Sequence, residues 1–154
     1  MNIREKGQPV ILLAEDSEDD AYFFERALRK AWVGCSLLRA VNGKQAIEIL
    51  GSSTGSARPS PCLIFLDLKM PVMSGFDVLE WLRFSGLDPV PKVIVLSGSN
   101  DEDDRARALS LGAAEYLVKP ITADNLRELI QEDLILAGSA QGIQATKAKA
   151  RAAL

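Results

Sequence analysis

A chain of 154 residues that is 47% hydrophobic and 25% charged is sized for one domain with a proper core. It has no apolar run near the roughly 18 residues a membrane span needs. It contains no histidine, which removes Ser-His-Asp and Cys-His nucleophile schemes, histidine metal sites and a phosphohistidine on this chain. The net charge of -3 argues against sequence-independent nucleic-acid binding.

The N-terminus lacks a signal-peptide core, so the chain is expected in the cytoplasm. Residues 1–8 read as an N-terminal segment, 9–137 as one domain and 138–154 as an Ala/Lys-rich tail, disordered or helical. Lys147, Lys149 and Arg151 make that tail basic. Removing its three cations from the net -3 leaves the body at -6. Cys35 and Cys62 each open a predicted strand and are expected to be buried thiols, not a disulfide or a zinc site.

In chain order, Val10 to Ala14 is a short apolar run that ends in Glu15-Asp16, the pattern of a buried strand with carboxylates at its C-terminal end. Ser17, with Asp20 three residues on, matches a helix-capping pattern. Ala21, Phe24, Leu28 and Ala31 then recur on one face as far as Trp32. Cys35 to Val41 predicts a second strand. Asn42-Gly43 turns into a helix over Lys44 to Leu50, with Ile47 and Leu50 inward, and Gly51 to Pro61 is Ser/Gly/Pro-rich loop. Cys62 to Asp67 is an apolar run that stops abruptly at one carboxylate before Leu68-Lys69-Met70-Pro71. A strand buried on both faces has a use for a charge only at its end, where the loop opens to water.

Ser74 and Asp77 repeat the capping pattern, and Phe76, Leu79 and Leu82 give the next helix an apolar face. Lys92 to Ser97 predicts a fourth strand. Asn100 to Leu111 holds little but Ala106, Ala108, Leu109 and Leu111 to bury, which predicts a weakly anchored helix suited to moving. Ala114 to Val118 is the fifth strand and Lys119-Pro120 ends it. Thr122 caps a last helix with Leu126, Leu129, Ile130 and Leu134 inward.

Five strands alternating with five helices predict an α/β, doubly wound parallel sheet covered on both faces. In such a sheet the C-terminal strand ends share one edge, where ligands bind. That edge gathers Glu15 and Asp16, Asp67, Ser97-Gly98 and Lys119-Pro120. At about 5 Å and an effective dielectric of about 20, each carboxylate pair repels by about 3 kcal/mol. One lysine cannot offset three acids, so a hard divalent cation such as Mg²⁺ is the natural partner. Beside it Asp67 can serve as an oxygen nucleophile towards a phosphoryl group, with Lys119 and the Ser97 hydroxyl neutralising charge and Gly98 leaving room.

These residues closely resemble the receiver domain of two-component response regulators, the CheY-like family, from about Pro9 to Ala137. The resemblance rests on the acidic pair Glu15-Asp16 and on Leu66-Asp67-Leu68-Lys69-Met70-Pro71 with Gly75 following. Ser97 as switch hydroxyl, Tyr116 as aromatic switch and Lys119-Pro120 complete it. It implies a sheet order of 2-1-3-4-5 and Asp67 as phosphoacceptor. It also implies Mg²⁺ held by Asp16, Asp67 and the backbone carbonyl of Lys69, with Glu15 acting through water, and a cis Lys119–Pro120 peptide. Glu15 departs from the commoner Asp, and Ser97 from the commoner Thr.

The implied partners are a histidine kinase or phosphotransfer protein upstream and a protein downstream, without nucleic acid or membrane. A homodimer is among the assemblies the family allows. Some 17 residues after the domain are too few for a DNA-binding output module. The expected role is therefore a stand-alone, phosphorylation-driven switch whose only catalysis is its own phosphorylation and dephosphorylation. A receiver-like interaction module that works without phosphorylation is the alternative. A metal-dependent phosphatase would want an acid where Lys69 stands, and a flavin phosphate would be repelled by Glu15-Asp16. Glu18, Asp19 and Asp20 are read as an acidic helix start, Asp101 to Asp104 as another, and Tyr116 as either core aromatic or switch.

Overall fold

A computed structural model of the chain describes residues 7–52 and 59–137, with side chains through residue 132. The five strands are β1 (Val10–Ala14), β2 (Ser36–Ala40), β3 (Leu63–Asp67), β4 (Lys92–Ser97) and β5 (Glu115–Val118). They alternate with α1 (Glu18–Lys30), α2 (Gly43–Ser52), α3 (Gly75–Phe84), α4 (Glu102–Ser110) and α5 (Ala123–Ala137). All pairings are parallel and the sheet order is β2-β1-β3-β4-β5, as the resemblance implies. The order reverses between β1 and β3, which opens a crevice at their carboxyl ends.

The period-two alternation of the strands splits the core in two. Leu12, Ala14, Ile64, Leu66, Val93 and Val95 face α2, α3 and α4. Ile11, Leu13, Leu63, Phe65, Ile94 and Leu96 face α1 and α5, where Phe24 packs on Phe65 with ring centroids 4.9 Å apart. Because both faces are covered, β1 and β3 are buried along their whole length. Only their ends can carry charge without a desolvation cost of several kcal/mol.

Several expectations shift. Strand β2 is shorter than Cys35 to Val41. The first helix stops at Lys30, and Trp32 lies outside it at φ 54°, 91% exposed. The second helix starts at Gly43 and runs through Ser52, so the loop begins later than Gly51. In α3 the inward positions are Val78, Leu79 and Leu82, while Phe76 is only half-buried. The Arg107 guanidinium covers its ring at 4.1 Å and lets it stay near water. Helix α4 buries Ala108 alone, the weak anchoring its sequence predicts; Leu109 is exposed. Leu134 and the 138–154 tail lie outside the described side chains and residues. Cys35 and Cys62 are thiols of intermediate exposure, not fully buried.

The loop after β3 fixes where the Asp67 end of the strand sits. Ser74 and Asp77 form a complete capping box at the start of α3. Gly75 brings that helix onto β3 with its N–H donating to the Leu68 carbonyl at 2.9 Å. A Cβ at Gly75 would collide with the Asp67 carbonyl and the Leu68 Cα, so backbone meets backbone there. Between them, Val72 holds φ 68° while the Met73 N–H donates to the Pro71 carbonyl at 2.7 Å, a tight γ-turn. A β-branched residue is strained in that region.

Two substitutions flanking this loop should act in opposite directions in urea denaturation. Gly75→Ala should lose about 1–3 kcal/mol through overpacking. Val72→Asn should gain about 1 kcal/mol by relieving backbone strain, since Val72 is 79% exposed and gives up little packing. Equal stability of both variants and wild type would contradict the close backbone approach and the strain.

Candidate functional site

The end of β1 is drawn out by one residue. The Glu15 N–H donates to the Ala40 carbonyl at 3.0 Å, which carries the Glu15 side chain inward to 2% exposure. Its Oε1 accepts from the Ser17 N–H at 3.0 Å. Asp16, one residue on, is exposed. Asp67, at the tip of β3, is buried, and its Oδ1 accepts from the Lys69 N–H at 3.3 Å.

Across from them the Lys119 backbone N–H donates to the Ser97 carbonyl at 2.8 Å, which fixes the end of β5 beside that of β4. From there the Lys119 ammonium reaches three carboxylates: Glu15 Oε2 at 2.6 Å, Asp20 Oδ2 at 2.9 Å and Asp67 Oδ2 at 3.3 Å. The strand ends therefore converge as the sequence predicts. The Lys119–Pro120 peptide is cis, as is Asp88–Pro89.

Asp20 stands in the acidic first turn of α1, as the sequence predicts, but its carboxylate has a second role that the sequence did not disclose. It is also a partner of Lys119. In α3 the acid three residues past the cap, Asp77, folds back to complete its capping box. In α1 only the Ser17 half forms, with Ser17 Oγ accepting from the Asp20 N–H at 3.3 Å, while the Asp20 carboxylate goes to the lysine. The signal was its position in the first helical turn, where side chains lean back over the strand ends.

Oxygen ligands from Glu15, Asp16 and Asp67 lie within 4.8 Å of one another. Three carboxylates without nitrogen or sulfur suit a small, hard divalent ion, and Mg²⁺ fits this donor set. Burial is the largest influence on Glu15 and pushes its carboxyl up to about 7. The hydrogen bonds from Lys119 and the Ser17 N–H oppose this, and the neighbouring Asp67 charge adds to it. Burial alone would loosen the proton on Lys119, but its bonds to Glu15 and Asp20 and the charges of Asp67 and Glu15 outweigh that, and its pKa is raised.

The Ser97 hydroxyl, at the end of β4 and buried, accepts from the Ser99 N–H at 3.2 Å. Gly98 faces open space; nothing lies within 4 Å of where its Cβ would be. Tyr116 is also buried. Its hydroxyl donates to the Ser99 carbonyl at 2.7 Å, the Arg105 guanidinium covers its ring at 4.9 Å, and the same guanidinium donates to the Tyr116 carbonyl at 3.4 Å. The aromatic ring is thus already inside. A cavity of about 260 Å³ opens beside Lys119, walled by Phe23, Phe24, Leu96 and Ile121. Among the described residues, no helix is long and apolar enough to cross a membrane.

Residues 11–131 match the response regulator receiver domain family. The chain is 31% identical over 123 residues to a probable methanogenesis regulatory protein, FilR2, of Methanothrix harundinacea, covering 80% of this chain and 79% of that one. It is 37% identical over 117 residues to the Regulator of RpoS of Escherichia coli K12, covering 73% of this chain but spanning only 32% of that longer protein. Among solved structures, it superposes on the bacteriophytochrome response regulator AtBRR with a TM-score of 0.69 at 31% identity, covering 82% of this chain and 92% of that one. It superposes equally on the signal receiver domain of a LuxO repressor protein from Vibrio parahaemolyticus, with a TM-score of 0.69 at 31% identity, covering 82% and 90%.

The elevated Glu15 pKa has a definite consequence for the metal-free protein. The native state holds that proton more tightly than the unfolded chain does. The stability this contributes is fully present below the unfolded value of 4.5 and is lost as pH rises through about 7. Urea midpoints measured at several pH values should fall more steeply over that window for wild type than for Glu15→Gln; parallel curves would show that burial does not dominate at Glu15.

Proposed function

The chain belongs to the response regulator receiver domain family, and on that premise we propose that it is a phosphorylation-activated signalling switch with Asp67 as the acceptor. The observation that carries this reading is the meeting of Glu15, Asp67 and Lys119 at the sheet edge, with Asp16 within reach of the same point. Asp67 is the acid at the end of the central strand, held from behind by the Lys69 N–H and from the side by the ammonium.

In the transfer, an Asp67 carboxylate oxygen bonds to phosphorus as the bond from phosphorus to the donor breaks. The donor leaves with that electron pair, whether it is the imidazole of a histidine kinase or phosphotransfer protein or a small acyl phosphate. Such a transfer asks the protein mainly for positioning and for cancellation of negative charge. Lys119 supplies one positive charge at the acceptor oxygen, the Ser97 hydroxyl is a donor at the neighbouring strand end, and Gly98 leaves space for the incoming group.

Mg²⁺, when held by Asp16, Asp67 and the backbone carbonyl of Lys69 with Glu15 behind, would supply the remaining charge neutralisation. The added phosphoryl charge then acts on Ser97 and the β4–α4 loop. That loop carries Ser99, to which Tyr116 is bonded, so the α4–β5–α5 face is the surface that reports the event to a downstream protein. The weak burial of α4 favours motion there.

The similarity to the bacteriophytochrome response regulator AtBRR over most of both chains supports an upstream kinase of photoreceptor type. Incubation with Mg²⁺ and acetyl phosphate, followed by mass measurement of the intact protein, should show one added phosphoryl group in wild type and none in Asp67→Asn. No adduct on wild type, or an undiminished adduct on Asp67→Asn, overturns the proposal in favour of a phosphorylation-independent interaction module.

A further inference from the structure

The acidic loop between β1 and α1 has a brace that its sequence does not announce. Arg39, on the neighbouring strand β2, turns its guanidinium onto this loop. Nε and Nη2 both donate to the Glu15 carbonyl, at 3.3 and 3.2 Å, and Nη1 donates to Glu18 Oε2 at 2.9 Å. The Glu15 carbonyl belongs to the peptide plane that joins Glu15 to Asp16. A planar fork with two N–H groups on one carbonyl fixes the direction of that plane. Its third arm ties the plane to the first turn of α1.

The two acids beside this peptide differ in how they are held. Glu15 is packed inside and bonded to Lys119 and the Ser17 N–H. Asp16 is exposed, and the peptide before it fixes the N–Cα bond from which its side chain departs. We propose that Arg39 is a positioning residue for the metal site: by clamping the Glu15–Asp16 peptide it aims the Asp16 carboxylate at the point where Glu15 and Asp67 already meet. This deepens the functional reading above and rests on it.

A structural tie between β2 and α1 would affect unfolding alone, so the test reads metal binding in the folded protein. Calorimetric titration with Mg²⁺ alone, well below the unfolding transition, compares wild type, Arg39→Met and Arg39→Lys. The Mg²⁺ Kd should rise on the order of tenfold in Arg39→Met, the usual scale for losing a group that orients a ligand. Arg39→Lys should recover little of it, because one ammonium cannot reproduce the fork. The Mg²⁺ concentration giving half-maximal phosphorylation by acetyl phosphate should shift in parallel, with the rate at saturating Mg²⁺ little changed.

A Kd for Arg39→Met within about twofold of wild type overturns the inference, as does full recovery in Arg39→Lys, which would leave charge alone as the cause. If Arg39→Met does not fold, Glu18→Ala at an exposed position removes one arm of the clamp and should weaken Mg²⁺ in the same direction; an unchanged Kd there overturns the inference too. Failure of wild type itself to bind Mg²⁺ or take up a phosphoryl group would instead fell the functional reading on which the inference stands.

Discussion

One ammonium shared among three carboxylates governs this molecule. Lys119 meets Glu15, Asp20 and Asp67 within 3.3 Å, and Asp16 stands close by, so a single internal positive charge faces four negative ones. In bulk water such a mismatch would be screened; at a rim where Glu15 and Asp67 are buried it is not. Burial already lifts Glu15 towards neutrality, which is one way a desolvated acid relieves the excess. Taking up a further positive charge is the other. A site in this condition is primed for a divalent cation and, with the cation, for the anion of a phosphoryl group.

The architecture keeps that imbalance in place. Parallel strands deliver their last residues to one edge, and the reversal of strand order between β1 and β3 leaves a crevice there. The two-layered core behind it gives the strands no freedom to slip, since a one-residue shift would send every side chain of one layer into the other. Local devices then set the individual groups: a backbone-to-backbone seal at Gly75 behind Asp67, the Ser97 carbonyl on the Lys119 N–H, and the Arg39 fork on the Glu15 carbonyl.

Most of this was legible in the sequence because it is written in residue type and place. Apolar runs ending in Glu15-Asp16, Asp67, Ser97 and Lys119 state both the strands and the edge where they finish. What escaped was written in geometry. Asp20 looks the same in sequence whether it completes a capping box, as Asp77 does, or answers a lysine 99 positions away. Arg39 bonds to a carbonyl, and a carbonyl belongs to every residue alike, so no pattern of side chains could disclose it. Phe76 is only half-buried, and Val78 buried in addition, because an aromatic ring near water can be covered by a cation such as Arg107, a contact with no periodic signature. Trp32 fell outside its helix because the chain turns into the left-handed region there.

Tyr116 carries a last consequence. Its ring is sandwiched between the protein interior and the guanidinium of Arg105, and its hydroxyl is engaged with Ser99. The torsional freedom of that side chain is surrendered when the protein folds. The surface around β5 is therefore fixed at this position once the chain has folded, and the lightly held element beside it is helix α4, which buries Ala108 alone.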